Sequence, residues 1–388
     1  MKTPTFFGKG YSLTEMPGEG YLQHGFAHAP GAGYKVRSPK AASSRKSVNS
    51  HKKLGVLHMR AMAFDRYGDP NVMSLREVPV PGPQLGEVLI RVGYAGVNPS
   101  DSKAPSSQSA RSGHNFTLPF VTGMDAAGVV ERTGANVNEF KPGDRVITWS
   151  SADGKTWGSN AEFMRVSATN VSLMPKSLNL DRAAVVPMAS LTAFQAPFHA
   201  QEGGMIPGQK VLIHGAAGGV GSFAVQFAKS GGLRAAATCG TANVKYVRSL
   251  GADRVIDYKN EAVCQAARDW STEGVDVVLD AVGPATLPQA LDMLRPTGRL
   301  VNILTATADG DIERDRQQAE RRGFRKIVFM IDFKRARESM QEITNLLDCG
   351  SVPPMNVLPL EDAIRAHQTI ETGHVRGKLV LKVADLVD

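Results

Sequence analysis

Cysteine is scarce: Cys239, Cys264 and Cys349 stand far apart in 388 residues, with no C-x-x-C pair among them. That spacing argues against a disulfide framework and a structural zinc cluster, and it suits a reducing compartment. Long hydrophobic runs are also missing. No apolar stretch approaches the ~18 residues that a membrane span needs. Acidic residues are lacking at one end only. Residues 1–60 hold ten Lys/Arg against Glu15 and Glu19, whereas the other 35 basic and 35 acidic side chains cancel. The net charge of +8 therefore belongs to the leader. The body has no interleaving of basic and aromatic residues, which disfavours nucleic acid as a partner.

The leader, with its stretch "HAPGAGYKVRSPKAASSRKSVNSHKK", is rich in Gly, Ser, Lys and Pro and shows no sustained apolar period. Residues 1–58 are expected to be disordered. They lack the apolar segment of a secretory signal. A cytoplasmic protein is expected, with organelle import as the alternative if the acid-poor leader is a transit peptide.

What remains has 42% hydrophobic and 21% charged residues, the profile of a soluble globular protein long enough for two domains. From Met59 the pattern is short strands ("MRAMAF", "LREVPV", "EVLIRVGYAGV", "AAGVVERTG", "DRVITWS") punctuated by Pro-Gly and Gly-Asp turns. From about Asp181 helices and strands alternate: "RAAVVPMASLTAFQAPFHA" reads as one helix, "KVLIHGA" as a strand, "GGVGSFAVQFAKSGG" as a helix, and "LRAAATCG" and "VDVVLDAVG" as later strands. This alternation predicts parallel βαβ units with right-handed crossovers. The fold class is α/β.

Within "KVLIHGAAGGVGS" the strand Val211–Ile213 runs straight into glycines and then a helix, which places Ala216, Gly218 and Gly221 at the three positions of a dinucleotide fingerprint. Gly218 lets backbone approach a pyrophosphate and Gly221 lets helix and strand pack closely. The free N–H groups at the helix start favour the anion. The second strand ends near Cys239, where an NAD enzyme carries an acid for the ribose 2′-hydroxyl, yet "TCGTANVKYVR" holds none, and the next is Asp253. Without a carboxylate to repel a 2′-phosphate, and with Lys245 or Arg248 to attract it, NADPH is favoured over NADH.

Several ordered blocks carry a resemblance: "AGVNPSD" (Ala95–Asp101), "GMDAAGVVERTGANV" (Gly123–Val137), "GDRV", "VPMASLTAFQA", "GAAGGVG", "SLGADRVIDY" and "GHVRGKLVL". Over residues 59–383 the chain resembles the medium-chain dehydrogenase/reductase superfamily. The resemblance implies a GroES-like β domain made by both chain ends (59–184 and 306–388) beside a doubly wound Rossmann NADPH-binding domain (185–305). In the zinc alcohol dehydrogenases of this superfamily a Cys and a His-Glu pair hold the metal; the matching positions here are Asn98, Met124 and Asp125, so the chain is similar to the zinc-free, zeta-crystallin-like quinone oxidoreductases. It further implies that Gly218, Gly219 and Val220 contact the pyrophosphate and that Gly240, Thr241 and Tyr258 line the adenosine phosphate site; Ala217 and Gly221 of the same loop, and Lys245 by its charge, are further cofactor-binding candidates. Val282 and Leu304 flank the nicotinamide half, and Asn98 positions nicotinamide or substrate. Asn243 stands where several relatives have Lys. A homodimer is implied as well.

The expected activity is metal-free transfer of hydride or electrons from NADPH to a quinone or an α,β-unsaturated carbonyl, since the cofactor supplies the reactivity and the protein the geometry. Alcohol dehydrogenase-like or enoyl reductase activity on another carbonyl is an alternative, and a nucleotide-binding protein without turnover is another. Asp101 is expected to hold its loop by hydrogen bonds, Met124 and Trp149 to pack, and His114, His199, His367 and His374 to have no chemical role.

Overall fold

The computed structural model describes residues 57–106, 116–150, 157–198, 204–283, 286–303, 317–347 and 351–386. The expected leader falls outside them but for its last two residues, as do Leu304, His114, His199 and Cys349. Among the described residues no helix is long and apolar enough to cross a membrane.

The first half is strand-rich: β1 (His58–Phe64), β2 (Met73–Pro79), β3 (Glu87–Val97), β4 (Phe120–Val121), β5 (Asp125–Thr133), β6 (Arg145–Trp149), β7 (Phe163–Ser167) and β8 (Val171–Leu173). β3 has the bounds its apolar run predicts. Most of its residues are buried, as in a strand covered on both faces. Six parallel strands follow: β9 (Lys210–His214), β10 (Arg234–Cys239), β11 (Arg254–Asp257), β12 (Val275–Asp280), β13 (Leu294–Asn302) and β14 (Arg325–Val328). They pair in the order β11-β10-β9-β12-β13-β14, with the reversal at β9/β12 that marks a doubly wound sheet. The parallel sheet runs past residue 305, because β14 adds a sixth strand beside β13.

The chain then returns. β15 (Met355–Pro359) and β16 (Lys378–Lys382) extend the sheet of the first half, giving β15-β16-β3-β5-β6-β8 with β7 also on β3. β16 lies antiparallel to β3, so residues nearly 300 apart in sequence become neighbours. One core packs around this sheet, from Phe64, Ile90 and Val146 to Leu379 and Leu381, and a second fills the parallel sheet around Leu212, Val278 and Leu300.

The single helix predicted over 182–200 is two, Leu180–Ala183 and Pro187–Phe198. Pro187 fits the start of a helix, where no N–H is needed, and not its middle. Phe194 meets Phe227 of the Gly219–Ser230 helix edge to face, with centroids 5.7 Å apart, which seats both helices against the sheet. The helix predicted over "TLPQALDMLRPTG" covers only Leu287–Ala290; a short turn follows and β13 begins at Leu294.

Candidate active site

The carboxyl ends of parallel strands are where such a sheet opens a crevice. Four of the loops there carry residues singled out from sequence. Gly215–Gly221 follow β9, Gly240 and Thr241 follow β10, Tyr258 follows β11 and Val282 follows β12. Lys245 is exposed one turn beyond Thr241. The structure thus gathers Ala217, Gly218, Gly219, Val220, Gly221, Gly240, Thr241, Lys245, Tyr258 and Val282 along one edge. Tyr258 and Val282 are 47% and 41% exposed, unusual for large apolar side chains and consistent with a groove wall.

The glycine loop shows two different reasons for glycine. At Gly221 an added Cβ would fall 2.6 Å from Ala216 Cα, so any side chain would drive helix and strand apart. At Gly218 it would meet only Gly215 O, at 3.4 Å, and otherwise open space. The first is a packing constraint; the second leaves room that no protein atom fills. Ser222 N–H makes the bond to Gly218 O (3.0 Å), so the N–H groups of Val220 and Gly221 come too early for an intrahelical partner. They suit an anion.

Acids near the second strand are engaged elsewhere. Asp253 takes both the Lys229 ammonium, at 2.8 Å, and the Ala235 N–H. Asp257 accepts from Lys259 N–H and Asn260 Nδ2. Cations, by contrast, surround this end. Lys259 lies over the Tyr258 ring at 5.5 Å, and Arg376 stacks on Tyr246 at 4.5 Å, whose hydroxyl donates to Ser222 Oγ. Neither Lys259 nor Arg376 was among the residues expected from sequence, although Arg376 stands inside the block "GHVRGKLVL".

Asn98 is placed by the end of β3 and the Pro99–Lys103 helix that follows it. Its backbone N–H donates to Asp101 Oδ2 at 2.7 Å, so Asp101 holds the loop as expected. Its carboxamide is buried and clasped on both sides: Nδ2 donates to Asp125 Oδ2 at 2.9 Å, and Oδ1 accepts from Lys378 Nζ at 2.6 Å. Asp125 also accepts the Met188 N–H at 2.9 Å. Burial pushes both carboxyls up, Asp101 to about 7 and Asp125 in the same direction against the pull of the Lys378 ammonium. Lys378, first residue of β16, was not anticipated.

Met124 Sδ accepts from Ser100 Oγ at 3.1 Å, and Trp149 is fully buried in its sheet. His367 is buried with both ring nitrogens unpartnered among the described residues, and its pKa is lowered to about 4 by that burial. An aromatic cluster of Phe64, Tyr67, Phe116 and Phe120 packs beside the 99–105 segment; Phe116 and Phe120 centroids are 4.5 Å apart. Among the described residues no three His, Cys, Asp or Glu side chains are grouped to hold a metal.

Comparison with known proteins agrees with this architecture. Residues 84–176 match the alcohol dehydrogenase GroES-like domain, and residues 250–381 match the zinc-binding dehydrogenase family. The chain is 32% identical over 339 residues to quinone oxidoreductase of Mus musculus, covering 83% of this chain and 97% of that one. It is 31% identical over 367 residues to the mitochondrial NAD(P)H oxidoreductase RTN4IP1 of Danio rerio, covering 84% and 92%. The solved structure of the quinone oxidoreductase from Coxiella burnetii superposes with a TM-score of 0.75 at 32% identity, covering 84% of this chain and all of that one. A glycine loop at the carboxyl edge of a doubly wound sheet, a strand-rich domain closed by both ends of the chain, and relatives that match nearly end to end make this chain an oxidoreductase of the medium-chain dehydrogenase/reductase superfamily.

Proposed function

We propose that the protein reduces quinones or α,β-unsaturated carbonyls with NADPH and without a metal. The observation that carries the metal-free reading is the buried Lys378 ammonium. It binds Asn98 Oδ1 and lies 3.4 Å from Asp125 Oδ2, two of the three positions that hold zinc in the metal-dependent relatives. A divalent cation placed there would face a positive charge in a low-dielectric site. The amide and the thioether of Met124 are poor zinc donors besides.

The residues fit a dinucleotide. The open space at Gly218 and the early N–H groups of the following helix would take the pyrophosphate. Gly240, Thr241 and Tyr258 would line the adenosine phosphate, with Lys245, Lys259 and Arg376 supplying the charge that a 2′-phosphate requires; Val282 and Leu304 would flank the nicotinamide. NADPH, when bound, supplies the hydride or electrons. The chain's task is then orientation and exclusion of water. Asn98 would orient the nicotinamide or the acceptor carbonyl through the Nδ2 hydrogen that Asp125 leaves free. Quinones and enones share the feature this needs, a conjugated carbonyl that accepts charge on oxygen.

The purified protein is expected to hold far less than one zinc per chain, to bind NADPH about tenfold or more tightly than NADH, and to keep its activity in chelator. The affinity gap is what one charged hydrogen bond contributes, roughly 1.5–3 kcal/mol. Zinc near one per chain, or tighter NADH binding, would refute the corresponding half. Cytoplasmic residence and homodimer formation, with the leader as an organelle signal the alternative, complete the proposal; the mitochondrial label of the Danio rerio relative supports that alternative.

A further inference from the structure

Lys378 joins two parts of the molecule that the reaction must bring together. Its ammonium has three N–H groups and three acceptors: Val97 O at 3.0 Å, Asn98 Oδ1 at 2.6 Å and Asp125 Oδ2 at 3.4 Å. Lys378 is 4% exposed and Asp125 is wholly buried. The Asn98 carboxamide sits between them, a cation on its oxygen and an anion on its nitrogen. Rotating the amide by half a turn would set NH2 against ammonium and oxygen against carboxylate, so only one orientation is stable.

The other end of the same side chain lies on the glycine loop. A Cβ at Gly219 would fall 2.8 Å from Lys378 Cδ and 3.1 Å from Cγ, so the lysine stem crosses the helix start directly. The preceding residue, Gly377, donates its N–H to Ala217 O at 2.8 Å and forms a bridge with Gly218. The loop with room for a pyrophosphate, the lysine stem and the Asn98 carboxamide therefore form one continuous chain of contacts between the two sheets.

We propose that Lys378 is a positioning residue for the reaction: it fixes the orientation of the Asn98 carboxamide and registers that amide against the dinucleotide loop. The role rests on the reading of the chain as an NADPH-dependent oxidoreductase. A buried ion pair adds little to stability over a well-packed apolar pair, so a role in geometry accounts for the arrangement where a role in stability alone does not.

The test is a double-mutant cycle on turnover, using NADPH and a naphthoquinone, with NADPH affinity measured separately by titration. Lys378→Met keeps the hydrocarbon stem against Gly219 and removes the charge. It should lower kcat about tenfold or more while the dissociation constant for NADPH and the KM for quinone move less than about threefold. Asn98→Ala should lower kcat comparably, and the combined variant should fall no further than the weaker single one, because both changes disable the same amide. Should Lys378→Met fail to fold, Lys378→Met with Asp125→Asn removes both charges together and carries the same comparison. Active wild-type protein with an unaffected Lys378→Met variant, or losses that multiply in the combined variant, would overturn the positioning role alone. Wild-type protein that binds NADPH but reduces no quinone or enone would overturn the functional reading, and the role with it.

Discussion

At the scale of single residues, two buried ionisable groups give the protein opposite responses to pH. Asp101 is 2% exposed, with Oδ1 unpartnered among the described residues, and burial raises its pKa from 3.8 to about 7. The folded state therefore favours the neutral acid. Its contribution to stability is full below about pH 4 and is lost as pH rises through about 7. His367 works the other way: its pKa falls from 6.5 to about 4, so the fold favours the neutral ring and stability is lost as pH drops below about 6.5. Subtracting one variant from wild type isolates the first effect. Asp101→Asn keeps an acceptor for the Asn98 N–H and has no charge to bury, so its melting temperature relative to wild type should rise between pH 5 and pH 8 by several degrees. A constant difference across that range would place a charged Asp101 in the fold.

Lys378 shows why part of the site was illegible. A lysine at the start of a strand reads as a solvated end, and nothing local marks it as buried. Its acceptors Val97, Asn98 and Asp125 lie 281, 280 and 253 residues away. Sequence patterns report spacing along the chain, and only the return of β16 onto β3 makes these residues neighbours. Asn98 and Asp125 could be noticed as occupants of familiar positions, but their partner could not.

At the scale of elements, the strand–loop–helix around "GAAGGVG" was the most legible part, because its glycines sit between a strand and a helix, Gly221 under a steric demand from Ala216 and Gly218 beside open space. The two demands separate experimentally. Gly218 has φ −79° and ψ 177°, a conformation open to any residue, and its Cβ direction is nearly empty. Gly218→Val should therefore fold with stability within about 0.5 kcal/mol of wild type and lose NADPH affinity by about a hundredfold or more. Gly221→Ala presses on Ala216 and should cost roughly 1–3 kcal/mol or more in chemical denaturation before any effect on binding is considered. Normal NADPH binding by Gly218→Val would reduce the loop to a turn. Elements defined by tertiary pairing were harder to see. β15, "MNVLP", ends in proline and lacks alternation, and it exists because β16 offers it a parallel edge. β14 likewise lengthens the parallel sheet beyond the expected boundary.

At the scale of the whole molecule, a glycine loop with cations crowded beside it, a second sheet closed by both ends of the chain, and an ammonium buried between Asn98 and Asp125, two positions that match zinc ligands of the metal-dependent relatives, come together. The absence of an acid after β10 was visible in sequence; that Asp253 and Asp257 are committed elsewhere was not, and this strengthens the case for NADPH. Arg376→Ala is expected to narrow the preference for NADPH over NADH about tenfold if the Tyr246-stacked guanidinium meets the 2′-phosphate, as titration of both cofactors would register. An unchanged ratio would assign that contact to Lys245 or Lys259. The most direct measurement is steady-state oxidation of NADPH by the full chain, after exhaustive chelation, with a panel of quinones and enones as acceptors and simple alcohols with NADP+ as the control. Turnover with at least one conjugated carbonyl, undiminished by the chelator and absent with alcohols, is the expected result. Alcohol oxidation that chelation abolishes and zinc restores would contradict it.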